Sequence, residues 1–146
     1  MKKRIVFLVS LFGLLNASQA VDSAQIQSVL RVGDFIAVHE SYCKEEQWLR
    51  YLFKTERVTG IDIAFDLIQR QWGWDACLPN NGIRYDEKET QGVYLDHSSE
   101  PIFLYKERRW VIKVDLDGVI IYTHLSDVQL ETIRKERASK ASAATN

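Results

Sequence analysis

The chain has 146 residues, enough for one domain with a real core and cramped for two. Hydrophobic residues make up 46% and charged residues 27%, the balance of a globular chain. Nineteen Lys and Arg stand against 20 Asp and Glu, which argues against a nucleic-acid binder, because such a protein needs a basic face to displace counterions from phosphates.

In chain order, Met1-Lys2-Lys3-Arg4 precedes an apolar run from Ile5 to Leu15 and then Asn16-Ala17-Ser18-Gln19-Ala20. This charged, greasy, small-residue order predicts a secretory signal over 1–20, cleaved after Ala20. The run falls short of the roughly 20 apolar residues that a spanning helix needs, and no later segment is longer. The expectation is a soluble periplasmic or secreted product, with no membrane association after cleavage. Lys2, Lys3 and Arg4 leave with the leader, so 16 basic residues face 20 acidic ones and the mature chain is acidic by four charges.

From Asp22 to about Lys44, Ile26, Val29, Leu30, Ile36 and Ala37 recur at helical spacing, predicting a helix with a break near Gly33. Glu45 to Val58 carries Trp48, Leu49, Leu52 and Phe53 among charged residues, a second amphipathic helix. Thr59-Gly60-Ile61-Asp62 has capping-box form, and Ile61, Ala64, Phe65, Ile68 and Trp72 mark one face of a third helix that Gly73 ends. Leu78-Pro79-Asn80-Asn81-Gly82 is turn chemistry. Between Ile83 and Ser99 helix and strand patterns compete, and both readings stay open.

After Pro101 the runs Ile102 to Tyr105, Trp110 to Val114 and Val119 to Thr123 predict three strands, parted by Lys106-Glu107-Arg108 and by Asp115-Leu116-Asp117-Gly118. Asp117-Gly118 signals a tight hairpin. Ser126 to Gln129 opens a last short helix in capping-box form, and residues 138–146 read as a disordered tail. The expectation is a single α+β domain over 21–137. Its N-terminal helices pack on one face of an antiparallel meander, and a short C-terminal helix follows.

Cys43 and Cys77 both lie in the mature chain, and an even count in an oxidising compartment predicts a disulfide rather than free thiols or a metal pair. A bonded pair leaves no thiol nucleophile. His39-Glu40 and Asp96-His97 put a carboxylate beside an imidazole, but adjacent side chains on a helix or strand point apart, so these two histidines and His124 are expected in exposed or structural roles. No H-E-x-x-H or G-x-S-x-G pattern occurs, and the acidic residues, Asp62, Asp66, Asp75, Asp86, Glu87 and Glu89 among them, have no spacing that defines a glycosidase pair. Asp115-Leu116-Asp117-Gly118 lacks the further ligands of a calcium loop. No catalytic residue, metal site or cofactor is assigned.

Gln71-Trp72-Gly73-Trp74-Asp75-Ala76-Cys77 sets two Trp rings beside the disulfide. The favoured reading has Trp72 in the core and Trp74 covering the disulfide; the other has the rings stacking on a sugar or anchoring a protein partner. The candidate partner-binding residues are Trp74, Asp75, Asn80, Asn81, Arg84 and Asp86.

Gly60-Ile61-Asp62, then Cys77-Leu78-Pro79-Asn80-Asn81-Gly82-Ile83, then Tyr94-Leu95-Asp96-His97 resembles the periplasmic immunity proteins that neutralise cell-wall amidase effectors of type VI secretion. In that family a G-x-x-D helix, a C-[LI]-P turn and a Y-L-x-x-H segment follow in this order; in this chain one residue, not two, separates Gly60 from Asp62 and Leu95 from His97. Here Ser98 follows His97 where the family has proline, and the β-rich stretch from Ile102 to Thr123 departs from its largely helical fold. The resemblance implies a protein partner, a peptidoglycan hydrolase or toxin, that this chain blocks without turnover. The alternative expectation is a small-molecule-binding or catalytic α+β domain of nuclear-transport-factor-like type, with a pocket lined by Trp110, Tyr122 or a histidine paired to a carboxylate.

Overall fold

The computed structural model describes residues 25–38, 41–79 and 91–144. The predicted signal segment, the Asp22 cap, His39, Glu40, the Asn80–Gly82 turn, Asp86, Glu87, Glu89 and the last two residues lie outside them. Residues 25–29 are helical, and Gly33, at φ 95°, turns the chain into strand β1, Phe35–Ala37. Ile36 and Ala37 therefore belong to a strand and not to the predicted helix. The side chains explain why: Phe35 is exposed while Ile36 and Val38 are buried, a two-residue alternation. Strand β2, Tyr42–Cys43, follows.

Helix α1 spans Glu46–Thr59 and buries Leu49, Leu52 and Phe53; helix α2 spans Ile61–Trp72 and buries Ala64, Phe65 and Ile68. Both predicted faces are the buried ones except at Ile61, which starts α2 and is exposed, and Gly73 caps α2 at φ 104° as expected. The predicted capping box at Thr59 is not made. Thr59 is the last residue of α1 and its hydroxyl donates back to the Thr55 carbonyl at 3.0 Å, while Gly60 at φ 86° forms the corner.

Strands β3 (Cys77–Leu78), β4 (Gln91–His97), β5 (Ile102–Leu104), β6 (Glu107–Leu116) and β7 (Val119–Ser126) complete the sheet. The seven strands are antiparallel in the order β1-β4-β6-β7-β2-β3, with β5 beside β6. Residues 91–97 thus resolve the open reading as strand. Leu116 pairs with Val119 across Asp117 (φ 53°) and Gly118 (φ 86°), the two left-handed residues of the predicted hairpin. Leu104 pairs with Glu107 across Tyr105 (φ 48°) and Lys106 (φ 71°), so a second two-residue turn stands where a three-residue separator was expected.

Both faces of the sheet are covered. Trp110, Ile112 and Val114 of β6 join Ile121 and Leu125 of β7 in a cluster with Ile26, Val29, Leu30 and Leu130. Val111 faces the opposite way, with Leu49, Leu52, Phe53, Phe65, Ile68 and the two cysteines. The one-sided packing expected is replaced by α1 and α2 on one face and the 25–29 segment with helix α3, Asp127–Ala143, on the other. The unbroken apolar run Trp110-Val111-Ile112 requires this, because neighbours on a strand point to opposite faces.

The Ser126–Gln129 capping box forms in both directions. Asp127 pins the start of α3, accepting from Arg108 Nε and from the Trp110 indole N–H at 3.0 Å. The helix is longer than expected: residues 138–143, assigned to a disordered tail, continue it as exposed turns. Alanine-rich composition favours this, since Ala loses no side-chain entropy in a helix.

Candidate functional site

The disulfide organises one end of the molecule. Cys43 and Cys77 face each other directly across β2 and β3, are bonded, and have no exposed surface. From the end of α2, Gly73 swings the chain outward through Trp74 and Asp75. The Ala76 N–H returns to the Gly73 carbonyl at 3.2 Å, and the Lys44 N–H meets the Ala76 carbonyl at 2.9 Å. The Lys44 ammonium pairs with the Asp75 carboxylate, whose pKa is lowered first by that hydrogen bond and then by the Lys44 charge.

This knuckle settles the two Trp rings. Trp72 packs on the core, stacked on Trp48 at 6.0 Å with Tyr51 edge-on at 5.1 Å. Trp74 is 80% exposed and does not cover the disulfide. The cysteines are shielded instead by their place in the cluster that holds Leu49, Leu52 and Ile68. Of the predicted partner-binding residues, Trp74 and Asp75 are adjacent and exposed; Asn80, Asn81, Arg84 and Asp86 lie outside the described residues.

His124 is buried, with Phe53 edge-on at 4.7 Å and Arg109 beside its Nδ1. Burial and then the Arg109 charge push its pKa down to about 3, so it is a neutral structural residue at ordinary pH. His97 Nδ1 lies 2.6 Å from the Tyr94 hydroxyl. Burial lowers the pKa of His97 against the opposing pull of Asp96, and burial raises Tyr94 to about 12. Asp96 accepts from the backbone N–H of His97 at 2.8 Å, so this contact is to the main chain and not to the imidazole.

A second feature was not legible as a motif. The strand register sets Asp96 opposite Lys113, Lys113 opposite Tyr122, Tyr122 opposite Cys43 and Cys43 opposite Cys77. One row thus crosses the α1 face of the sheet from the buried disulfide to charged residues. α1 begins only at Glu46, and a cleft of about 130 Å³ remains there, lined by Glu46, Asp96, His97, Ser98, Lys113 and Tyr122 among others. A bulge between Tyr94 and Asp96 shifts the register and brings Asp96 opposite Lys113. The signal that could have found half of this row was the Asp117-Gly118 turn: a two-residue loop pairing Leu116 with Val119 also fixes Lys113 against Tyr122.

No group of three potential metal ligands occurs among the described residues. Asp115 accepts from the Gly118 N–H at 2.7 Å and serves the hairpin. No helix among the described residues is long and apolar enough to cross a membrane. Compared with known proteins, the chain matches no family model, no curated protein and no solved structure.

Proposed function

We propose that this protein is an exported binding protein that acts by docking on a protein partner, in the manner of an inhibitor or immunity protein that blocks a cell-wall hydrolase or toxin. The observation that carries the reading is Trp74, 80% exposed on a knuckle closed by the disulfide, the Gly73 corner and the Lys44–Asp75 pair. A free indole in water is costly to keep, and Trp is among the side chains that most often dominate an interface. Holding it on a cross-linked turn removes much of the ordering cost of binding. The disulfide is also compatible with an oxidising compartment outside the cytoplasm. The acidic mature chain would draw a basic partner by long-range attraction.

The test is capture from envelope extract of the host organism with the purified protein and with Trp74→Ala, followed by assay of the captured enzyme. The reading expects a stoichiometric peptidoglycan hydrolase or toxin, inhibited by the wild type. Trp74→Ala should bind it more weakly by about 30-fold or more, the cost of a hot-spot residue. Equal binding by the variant, or a captured enzyme that stays fully active, would overturn it.

A further inference from the structure

We propose that the cleft between the first turn of α1 and the β4–β6–β7 face is a binding site for a small zwitterion of the amino-acid class. The site is built by register: Asp96, Lys113 and Tyr122 stand in one row on three neighbouring strands, at the point where α1 leaves the sheet uncovered. Lys113 and Tyr122 are both half-buried, and neither the Lys113 ammonium nor the Tyr122 hydroxyl has a partner among the described residues. An ammonium and a hydroxyl that line one cleft and are not engaged by the protein can both donate to a carboxylate.

The other wall has the opposite character. Asp96 spends one carboxylate oxygen on the His97 N–H, and it does not close an ion pair with Lys113 although the two are cross-strand neighbours. It is therefore placed to receive a cation. Asp96 and Lys113 stand on adjacent strands and line the same cleft, so the ammonium and carboxylate of one α-amino acid can each face its opposite charge there. The volume agrees: about 130 Å³ is close to the roughly 150 Å³ of a cavity that takes up benzene, room for an amino-acid backbone whose side chain projects through the mouth. A simple anion would leave Asp96 without a cation, and a simple cation would meet Lys113.

This inference does not depend on Trp74 or on a protein partner. Its test is a titration of the ¹⁵N-labelled protein with glycine, sodium acetate and methylammonium chloride at constant ionic strength, followed by amide shifts. Glycine should give saturable shifts at Asp96, Lys113 and Tyr122, with acetate and methylammonium each weaker by about tenfold, the value of one charge-assisted contact. Lys113→Met should weaken glycine by about tenfold or more while the rest of the spectrum is kept. Should that variant fail to fold, Tyr122→Phe decides, with weaker glycine binding expected. No saturable glycine shift, acetate binding as tight as glycine, or undiminished binding in the folded variant would overturn the proposal.

Discussion

At the scale of single residues, His124 is where burial and charge conflict most. Its folded pKa is about 3 against roughly 6.5 for an unfolded histidine. Between these values the unfolded chain takes up a proton that the folded chain refuses, so stability falls as pH drops from about 6.5 toward 3, by up to about 1.4 kcal/mol per pH unit. His97, also lowered by burial, acts in the same direction. Asp34 acts lower on the scale. Burial alone would raise its pKa, but the Arg137 hydrogen bond, the Arg31 N–H and their charges outweigh it. The stability Asp34 adds is lost only as pH falls below the ordinary carboxylate range. His124→Gln should therefore flatten the fall in unfolding free energy between about pH 6 and pH 4.5, read by urea denaturation at each pH, while the His97 contribution stays. An unchanged slope would show that His124 is not held neutral in the fold.

At the scale of elements, the two hairpins make a natural comparison. Asp117-Gly118 has the residues that tolerate left-handed backbone, and it was read correctly from the sequence because the chemistry is local. Tyr105-Lys106 adopts the same backbone with two side chains that disfavour it, and nothing local announces the turn; pairing of β5 with β6 imposes it. Replacing Tyr105-Lys106 by Asn-Gly should stabilise the protein by about 1 to 2 kcal/mol, since both φ values suit the new residues and Tyr105 is 64% exposed. Urea denaturation checks it, and a loss of stability would mean that Tyr105 packs more than its exposure implies. Helices α1 and α2 were legible for the same local reason as the first hairpin, through their apolar spacing. β1 was not: Ile36 and Ala37 fit a helical period as well as a strand period, and it is hydrogen bonding of Asp34 and Gly33 to Tyr94, some 60 residues away in sequence, that decides.

At the scale of the whole molecule, the sheet serves as the middle layer between two helical layers, and its ends are held unequally. β6 and β7 pair over their full facing lengths, from Arg109–Ser126 to Leu116–Val119. Among the described residues, β2 pairs with β7 in register only at Cys43–Tyr122, beside which the Thr123 hydroxyl donates to the Ser41 carbonyl at 3.1 Å. The β2–β3 ribbon, which brackets both α1 and α2, is thus joined to the sheet through one register pair and the helical layer above it. The 34-residue separation of Cys43 and Cys77 encloses both helices and the Trp74 knuckle, so the bond closes the layer that presents the proposed binding residue. The Asp117-Gly118 turn implies the Lys113–Tyr122 half of the cleft row, and the Trp110-Val111-Ile112 run implies cover on both faces of β6; the Asp96 half of the row and the identity of the covering helices depend on which strands lie side by side. Cys43→Ala with Cys77→Ala should lower the unfolding free energy by about 3 to 4 kcal/mol through a freer unfolded chain. It should leave the β6–β7 hairpin and the face packed on α3 as the most protected part in hydrogen exchange. Protection should fall first at Lys44, Ala76 and the α1–α2 layer. A uniform loss across both layers would mean that the disulfide stabilises the molecule as a single unit and that the Trp74 knuckle is no more dependent on it than the rest.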